Sequence, residues 1–160
     1  MNFEELVLAL EERIRFVCRE QARYRVLWVV GKPHSGKTLL SRTVCQRTSW
    51  RYIDFTLEPG FLDSLTGREE SYHPENFLET IKKLIDNKVA PEIVAIDEIE
   101  SLLSLWNWEQ QEVFFKQVGR ATRLPTGVVL VTRKRTAQQL LKILPGMNYH
   151  IFEMPEEVQL

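Results

Sequence analysis

The stretch VLWVVGKPHSGKT, residues 26–38, places a glycine-rich segment directly after five apolar residues. A continuous apolar run of this length is typical of a strand covered on both faces, as parallel sheets require. The segment GKPHSGKT, Gly31 to Thr38, fits the pattern G-x-x-x-x-G-K-[ST], which binds phosphate when it joins a strand to a helix. Residues 38–48 are predicted to form that helix. The stretch therefore predicts an α/β fold with a phosphate-binding loop after an early strand.

The residue types of this loop explain how it would bind phosphate. The first turn of a helix has unpaired N–H groups and a positive partial charge, and a curled loop directs such groups at an anion. Glycine permits the tight backbone that this requires. Lys37 is expected to act in catalysis by reaching the β- and γ-phosphates, and the hydroxyl group of Thr38 is expected to hold Mg²⁺. The predicted nucleotide-binding residues are Gly31, Pro33, His34, Ser35, Gly36, Lys37, Thr38 and Leu39.

Two acidic residues end a second apolar run, EIVAIDE, at residues 92–98. A Mg²⁺ ion held by one threonine needs a carboxylate as well, and Asp97 fits that role. Glu98 is then the predicted catalytic residue that orients or deprotonates the attacking water. Glu100 is expected to be solvated. The alternative, that two acids merely end a strand in solvent, is less favoured because both follow four apolar residues downstream of a phosphate-binding pattern.

A basic segment ends another predicted strand, GVVLVTR, at residues 127–133. If this strand lies between the other two, its end faces the γ-phosphate. Thr132 and Arg133 are therefore predicted to sense or stabilise the phosphate, since a guanidinium group suits the charge that spreads during phosphoryl transfer. The alternative is a solvated basic loop. Lys134 and Arg135 are expected to face elsewhere.

Strands and helices are predicted to alternate along the whole chain. This alternation favours a three-layer α/β/α fold with a five-stranded parallel sheet. Residues 1–160 are interpreted as one domain, in which an N-terminal helix (1–22) precedes an α/β core (24–154). The predicted strands are 24–30, 51–57, 92–98, 127–133 and 148–154; the predicted helices are 2–22, 38–48, 74–88, 99–122 with a break near Asn107, and 136–144, with a short helical turn at 61–65.

The composition describes an ordinary globular chain. Apolar residues make up 44%, charged residues 27%, and the formal net charge is −1. This charge gives no overall attraction to nucleic acid or to a membrane. No apolar run approaches the roughly 20 residues that cross a bilayer, so no membrane partner is predicted and the cytoplasm is the expected location. Cys18 and Cys45 are expected to be buried thiols, and His73 and His150 lack a second ligand at zinc spacing.

Three groups of residues leave alternatives open. An aromatic cluster, Trp106, Trp108, Phe114 and Phe115, could mark a partner interface, but packing against the sheet explains it more simply. Arg120 and Arg123 are either an arginine finger for a neighbouring subunit or a basic helix end stabilised by the helix dipole. A basic patch for DNA would combine Arg120, Arg123, Lys134, Arg135 and Lys142, with weak support.

The motifs GKPHSGKT, IVAIDE and VTR together resemble the P-loop NTPases of the additional-strand, catalytic-glutamate division, which includes the AAA+ and STAND ATPases. The resemblance covers residues 1 to about 154. It implies ATP and Mg²⁺ as cofactors and the strand order 5-1-4-3-2. VTR is similar to the arginine-bearing sensor of STAND proteins. One departure from the pattern is expected, since no C-terminal helical lid is predicted after the last strand. In size and layout it also resembles BrxF-type proteins of BREX phage-defence systems.

The leading interpretation is an ATP-binding, slowly hydrolysing switch whose ATP or ADP state controls assembly with itself or with other subunits. The resemblance to BrxF-type proteins implies that this assembly belongs to an anti-phage complex. The absence of a guanine-specific N-K-x-D motif favours ATP. Two alternatives remain: a small-molecule or nucleoside kinase, and a non-catalytic adaptor that holds nucleotide as a structural ligand.

Overall fold

Five parallel strands form one sheet in the computed structural model, which describes residues 1–57, 65, 67–85 and 93–156. The strands are β1 (Val26–Val30), β2 (Arg51–Asp54), β3 (Ile93–Asp97), β4 (Gly127–Thr132) and β5 (Ile151–Glu153). Their order is β2-β3-β4-β1-β5, which is the predicted order 5-1-4-3-2 counted from the other edge. The predicted fold class is therefore confirmed. All neighbouring pairs are parallel, so the carboxyl ends of all five strands lie at the same end of the sheet.

Helices cover both faces of this sheet. They are α1 (Phe3–Val17), α2 (Lys37–Thr48), α3 (Phe77–Ile85), α4 (Glu100–Leu103), α5 (Trp108–Gly119) and α6 (Ala137–Ile143), with 3₁₀ turns at Glu69–Ser71, Pro74–Asn76 and Asn148–His150. The side chain of Asn2 accepts a hydrogen bond from the Glu5 amide at 2.8 Å and caps the N-terminus of α1. Asn107 caps α5 in the same way, so the predicted break of the long helix lies at this residue.

The alternation of side chains along the strands produces the two core layers. Val26, Trp28 and Val30 pack on the face covered by α3, α4, α5 and α6, whereas Leu27 and Val29 pack on the face covered by α1 and α2. On the first face, the Trp28 ring meets the rings of Phe114 and Phe115 edge to face. The aromatic residues Trp106, Phe114 and Phe115 are thus buried packing residues, while Trp108 is 52% exposed. Within the described part of the chain, no helix combines the length and the apolar character needed to cross a bilayer.

Several element ends differ from the predicted ones. Helix α1 stops at Val17 instead of residue 22, because Cys18 is its C-cap and the chain then turns toward β1. Strand β2 stops at Asp54. The side chain of Asp54 accepts a hydrogen bond from the amide of Thr56 and closes a turn. The 3₁₀ turn at 148–150 shortens β5. Residues 61–64 of the predicted helical turn and 86–88 of the predicted helix lie outside the described residues.

Candidate functional site

A cleft of about 380 Å³ opens at the carboxyl ends of β1, β3 and β4. Its lining comes from all three segments that the sequence singles out: Pro33, His34, Ser35, Gly36, Lys37, Thr38, Asp97, Glu98, Glu100, Val131 and Arg133. The segments meet here because parallel neighbouring strands end at the same side of a sheet. The cleft is therefore the one place in the described fold where the glycine-rich loop, the acidic pair and the basic segment can act on one ligand.

Glycine is required at two positions of the loop between β1 and α2. Gly36 has a φ of +93°, in the left-handed region, and it is the N-cap of α2. Gly31 lies against the end of the sheet: a Cβ atom there would lie 2.8 Å from Cβ of Met154 and 2.9 Å from Oγ of Ser35. These constraints curl the loop around the start of α2, whose first N–H groups have no helical partner. The loop has the shape that the pattern requires for an anion.

The ammonium group of Lys37 is folded back onto this loop. Its Nζ donates to the carbonyl oxygen of Gly31 at 2.9 Å, to that of Lys32 at 2.6 Å and to Oγ of Ser35 at 3.2 Å. Only 8% of the residue is exposed, and burial is the main cause that lowers the pKa of Lys37. All three acceptors are neutral, so the ammonium charge stays uncompensated by a direct ion pair. An anionic ligand in the cleft would be a stronger acceptor for it.

Asp97 is held by hydroxyl groups from two directions. Its Oδ2 accepts a hydrogen bond from Thr38 Oγ1 at 2.6 Å and another from the Tyr52 hydroxyl group at 2.6 Å. Asp97 is only 4% exposed at the end of β3. The adjacent oxygens of Thr38 and Asp97 are of the hard type that Mg²⁺ prefers, so these two residues fit the predicted metal site.

Tyr52 is a site residue that sequence reasoning did not find. It lies on β2 opposite Ala95 of β3, two residues before Asp97. Burial raises the pKa of Tyr52, and the hydrogen bond to Asp97 raises it further. The alternation of RYIDFTL was a usable signal, because it places Tyr52 and Ile53 on opposite faces of the strand. What the sequence lacked was independent proof that β2 and β3 are neighbours.

Glu98 adopts an unusual backbone conformation for a side-chain-bearing residue. Its φ is +62°, and its amide donates to Oδ1 of Asp97 at 2.7 Å. The side chain lines the cleft. Burial raises the pKa of this carboxyl group, the nearby carboxylates of Asp97, Glu100 and Asp54 raise it further, and Arg133 opposes them. A more basic carboxylate beside the phosphate-binding loop is suited to orient or deprotonate a water molecule.

The residues at and after the end of β4 lie in different environments. Arg133 lines the cleft, and its amide donates to Oε1 of Glu100 at 2.8 Å. Glu100, which was expected to be solvated, is half-buried and forms part of the cleft wall. Thr132 is fully buried and its Oγ1 accepts from the amide of Lys134 at 3.1 Å. Thr132 is absent from the described lining, so the prediction that its hydroxyl group faces the phosphate needs correction: that group is used to shape the turn.

Two further residues lie outside the cleft lining. Leu39 is 50% exposed and lines a neighbouring pocket together with Ser35 and Gly36 of the loop. Arg135 is only 2% exposed and stacks on the Trp108 ring at 3.3 Å, so it cannot belong to the surface patch predicted for DNA.

The remaining basic residues of that predicted patch do not gather either. Lys134 follows the carboxyl end of β4, whereas Arg120 and Arg123 precede its amino end. Six strand residues, about 20 Å, separate these two ends. Because Arg135 is buried and Lys134 lies at the opposite end of β4 from Arg120 and Arg123, the five basic residues do not form one continuous patch for DNA.

Comparison with known proteins agrees with this geometry. The sequence profile of the AAA family, the ATPases associated with various cellular activities, matches residues 27–152. The chain belongs to the AAA family. A search of curated proteins gave no match. Among solved structures, the chain is similar to PCH-2 of C. elegans, with a TM-score of 0.54 and 16% identity over 96% of this chain. It spans 42% of the PCH-2 chain, and at this identity the likeness shows a shared fold.

Membership of the AAA family indicates the general class of ligand that the cleft would bind. The chain contains a P-loop NTPase core of the AAA+ type, which indicates nucleotide-binding ATPase activity. The family uses ATP and typically Mg²⁺, and its members commonly oligomerise. The glycine-rich loop and the acidic end of β3 both lie inside the matched residues.

Proposed function

We propose that this AAA protein is a Mg²⁺-dependent ATPase that turns over slowly and whose bound nucleotide controls assembly with itself or with partner subunits. The observation that carries the proposal is the 2.6 Å contact between Thr38 Oγ1 and Asp97 Oδ2, beside the buried ammonium group of Lys37. It joins the end of the phosphate-binding loop to the acidic end of another strand. Such a junction is what a metal-bound triphosphate requires.

Each residue of the loop has a distinct part in binding. The N–H groups at the start of α2 would surround the phosphates, and Lys37 would exchange its neutral acceptors for phosphate oxygens. Thr38 and Asp97 would hold Mg²⁺ between them. When bound, the ion neutralises charge on the phosphates. The outer part of the phosphate-binding loop would be formed by Pro33, His34 and Ser35. At the base of the loop, Gly31 lies against Met154.

Hydrolysis would depend on Glu98 and Arg133. The raised pKa of Glu98 favours acceptance of a proton from water, and its carboxylate lines the same cleft as Lys37. Arg133 lies across the cleft, where a guanidinium group would stabilise charge on the γ-phosphate.

Slow turnover and assembly follow from the placement of the other arginines. Arg120 and Arg123 are exposed and precede β4, at the end of the sheet remote from the chain's own cleft. They could act as a finger only in the cleft of a neighbouring subunit. An arginine supplied by another chain strongly accelerates such reactions, so hydrolysis would be faster in the assembly than in the isolated chain. A role in a BREX-type anti-phage complex would be one setting for such a switch.

The decisive experiment compares the chain with Glu98→Gln. We expect Mg²⁺-ATP binding by calorimetry in both proteins, but phosphate release only in the unchanged protein. The mass in solution is measured with ADP, with ATP and without nucleotide, and the ATP form of Glu98→Gln should accumulate as the larger assembly. Glu109→Gln, an exposed change on α5, is the matched control and should behave like the unchanged protein.

Other outcomes would redirect the assignment. ATP binding without any phosphate release in either protein, and with a constant mass, would indicate a nucleotide-holding adaptor. ADP release that requires an added acceptor molecule would indicate a kinase. The absence of any binding heat with Mg²⁺ and ATP would contradict the proposal as a whole.

A further inference from the structure

The end of the sheet opposite the cleft carries a surface rich in arginine and aromatic side chains. The segment RIRFVCREQARYR, residues 13–25, contains five arginines and one glutamate, a net charge of +4 in a chain whose net charge is −1. It comprises the last part of α1 and the turn that leads into the amino end of β1. We call the surface formed by Arg13, Phe16, Arg19, Arg23, Tyr24, Tyr149 and His150 the basic aromatic surface.

Two aromatic rings are exposed side by side on the basic aromatic surface. Phe16 is 52% exposed and Tyr149 is 61% exposed. Their ring centroids lie 5.3 Å apart at an angle of 51°. Single exposed apolar side chains are common, but adjacent exposed rings from segments distant in sequence form a contact area suited to a planar ligand.

Arginines lie over each aromatic ring of this surface, and Arg13 lies 4.8 Å from the centre of the Tyr149 ring. Arg19 lies 4.5 Å from the centre of the Phe16 ring, and Arg23 lies 5.3 Å from that of Tyr24. Both arginines are exposed, and neither forms an ion pair with a carboxylate of the described residues. Their charges are therefore available to an anion. Arg13 also donates from Nη1 to the carbonyl oxygens of Tyr149 and Ile151, which fixes the second segment.

A small cavity lies between the arginines and the rings. Its volume is about 160 Å³, and it is lined by Phe16, Val17, Arg19, Ala22, Arg23, Tyr24 and His150. His150 also lines the cavity, and its ring is fixed by the 3.0 Å contact between Nδ1 and the carbonyl oxygen of Val26. The cavity combines the rings of Phe16 and Tyr24 with two guanidinium groups that have no carboxylate partner among the described residues, although Nη1 of Arg19 also donates to the carbonyl oxygen of Phe16.

The turn that bears the arginines is firmly held. Arg25 donates from Nε and Nη2 to the carbonyl oxygen of Cys18, at 3.1 and 3.0 Å, and from Nη1 to that of Leu124 at 3.2 Å. The amide of Ala22 donates to the carbonyl oxygen of Arg19 at 3.0 Å. A surface ordered before binding loses less entropy when a ligand arrives.

We propose that the basic aromatic surface binds single-stranded nucleic acid, with phosphates at Arg19 and Arg23 and bases stacked on Phe16 and Tyr149. Arginine interleaved with exposed aromatic rings is the arrangement by which proteins hold unpaired strands. A duplex keeps its bases stacked inside, so it would leave these rings without a partner. An acidic peptide would use the arginines but not the paired rings.

This proposal does not rest on the ATPase function. The basic aromatic surface lies at the amino end of β1, and the cleft lies at its carboxyl end. Binding is therefore measured without nucleotide, so that a failure of either proposal leaves the other intact. The probe is a fluorescein-labelled oligothymidine or oligouridine, and the readout is fluorescence anisotropy between about 50 and 200 mM salt.

Two variants test the two components. Arg19→Ala/Arg23→Ala should weaken binding at least tenfold at low salt and make the slope of log K against log[salt] shallower by about 1.4, since each single-strand phosphate contact contributes about 0.7. Phe16→Ala should weaken binding about tenfold with little change in slope, because it removes stacking rather than charge. The control Arg68→Ala/Lys82→Ala removes the same charge at two exposed positions between β2 and β3, and it should change binding less than twofold.

The proposal is overturned if the unchanged protein does not bind the oligonucleotide, or if the control weakens binding as much as Arg19→Ala/Arg23→Ala. It is also overturned if Phe16→Ala has no effect and polyglutamate displaces the probe as well as unlabelled oligonucleotide does, which would identify a site for acidic peptides. A labelled duplex that binds as tightly as the single strand would contradict it too. All substituted residues are exposed, and thermal unfolding of each variant checks that the fold is kept.

Discussion

Tyr52 donates a hydrogen bond of 2.6 Å to Asp97, on the same carboxylate oxygen that Thr38 contacts from α2. The other oxygen of Asp97 accepts from the amide of Glu98. The Tyr52 ring is itself covered by Arg42, whose guanidinium group lies 5.1 Å from the ring centre. The carboxylate is therefore fixed from three sides, and its orientation toward the cleft depends on a strand that contributes no residue to the cleft lining.

Tyr52→Phe removes only the hydroxyl group and leaves the half-buried ring in place. If Asp97 holds Mg²⁺, we expect the Mg²⁺ concentration for half-maximal ATP hydrolysis to rise about tenfold, because hydrogen bonds to a metal-binding carboxylate orient it. The maximal rate at saturating Mg²⁺ should change little. Titration of Mn²⁺ in the presence of a non-hydrolysable ATP analogue, followed by electron paramagnetic resonance, measures the same change without turnover.

Tyr149→Phe is the matched control, since it removes a hydroxyl group at the opposite end of the sheet. Its Mg²⁺ dependence should equal that of the unchanged protein. An unaltered metal affinity in Tyr52→Phe would show that Thr38 and the Glu98 amide suffice to orient Asp97.

The parts of the site that lie next to each other in sequence were predictable. The loop from Gly31 to Thr38 needs only its own glycines and the following helix, and parallel strand ends bring Asp97 to the same edge of the sheet. Tyr52 was not predictable from spacing, because its contact requires that β2 and β3 be neighbours. That adjacency came from the family resemblance alone.

Arg135 shows a second limit of sequence reasoning. A charged residue in a run of basic residues is normally solvated, but this one is enclosed because Trp108 stacks on it and Gln111 accepts its hydrogen bond at 2.9 Å. Neither partner is close to it in sequence. Only the packing of α5 against the turn after β4 shows that this charge is structural.

Arg135→Lys tests this structural role. Lysine keeps the charge but cannot stack as a plane or donate as a fork, so Oε1 of Gln111 would lose its partner. We expect the free energy of unfolding to fall by about 2 kcal/mol, from the lost stacking and the unpaired buried group. Urea unfolding followed by tryptophan fluorescence measures the change. Lys134→Ala, an exposed neighbour, should stay within about 0.5 kcal/mol of the unchanged protein, and equal losses in the two variants would refute the assignment.

Gly31→Ala tests the close approach behind the phosphate-binding loop. The new Cβ would lie 2.8 Å from Cβ of Met154, and the amide of Met154 is itself bonded to the carbonyl oxygen of Val30 at 2.8 Å. Since this hydrogen bond holds Met154 in place, we expect the free energy of unfolding to fall by about 1–3 kcal/mol. ATP affinity should also fall, because the shift displaces the loop that directs its N–H groups at the phosphates.

Gly146→Ala is the control that separates the loss of stability in Gly31→Ala from its loss of ATP affinity. Gly146 has a φ of +80° and no atom within 4 Å of a new Cβ, so alanine there costs about 1 kcal/mol of backbone strain at a site remote from the cleft. Calorimetric ATP affinity should be unchanged in this control. A Gly31→Ala protein that binds ATP normally would mean that the loop tolerates the displacement.

The two cysteines should make stability fall at alkaline pH. Burial raises the pKa of Cys18 from 9.0 to about 12 and that of Cys45 from 9.0 to about 11. The folded chain therefore holds both protons where the unfolded chain has released them. This contribution is fully present below pH 9.0 and is lost as the pH rises through the raised values.

Urea unfolding between pH 9 and 11 measures this loss, and Cys18→Ala/Cys45→Ala should show a smaller decline over the same window because it has no thiol to ionise. Near pH 8, both thiols of the folded protein should resist Ellman's reagent and react fully in concentrated guanidinium chloride, since the thiolate is the reactive form. Rapid modification of the folded protein, or equal declines in the two proteins, would show that these thiols are accessible to solvent.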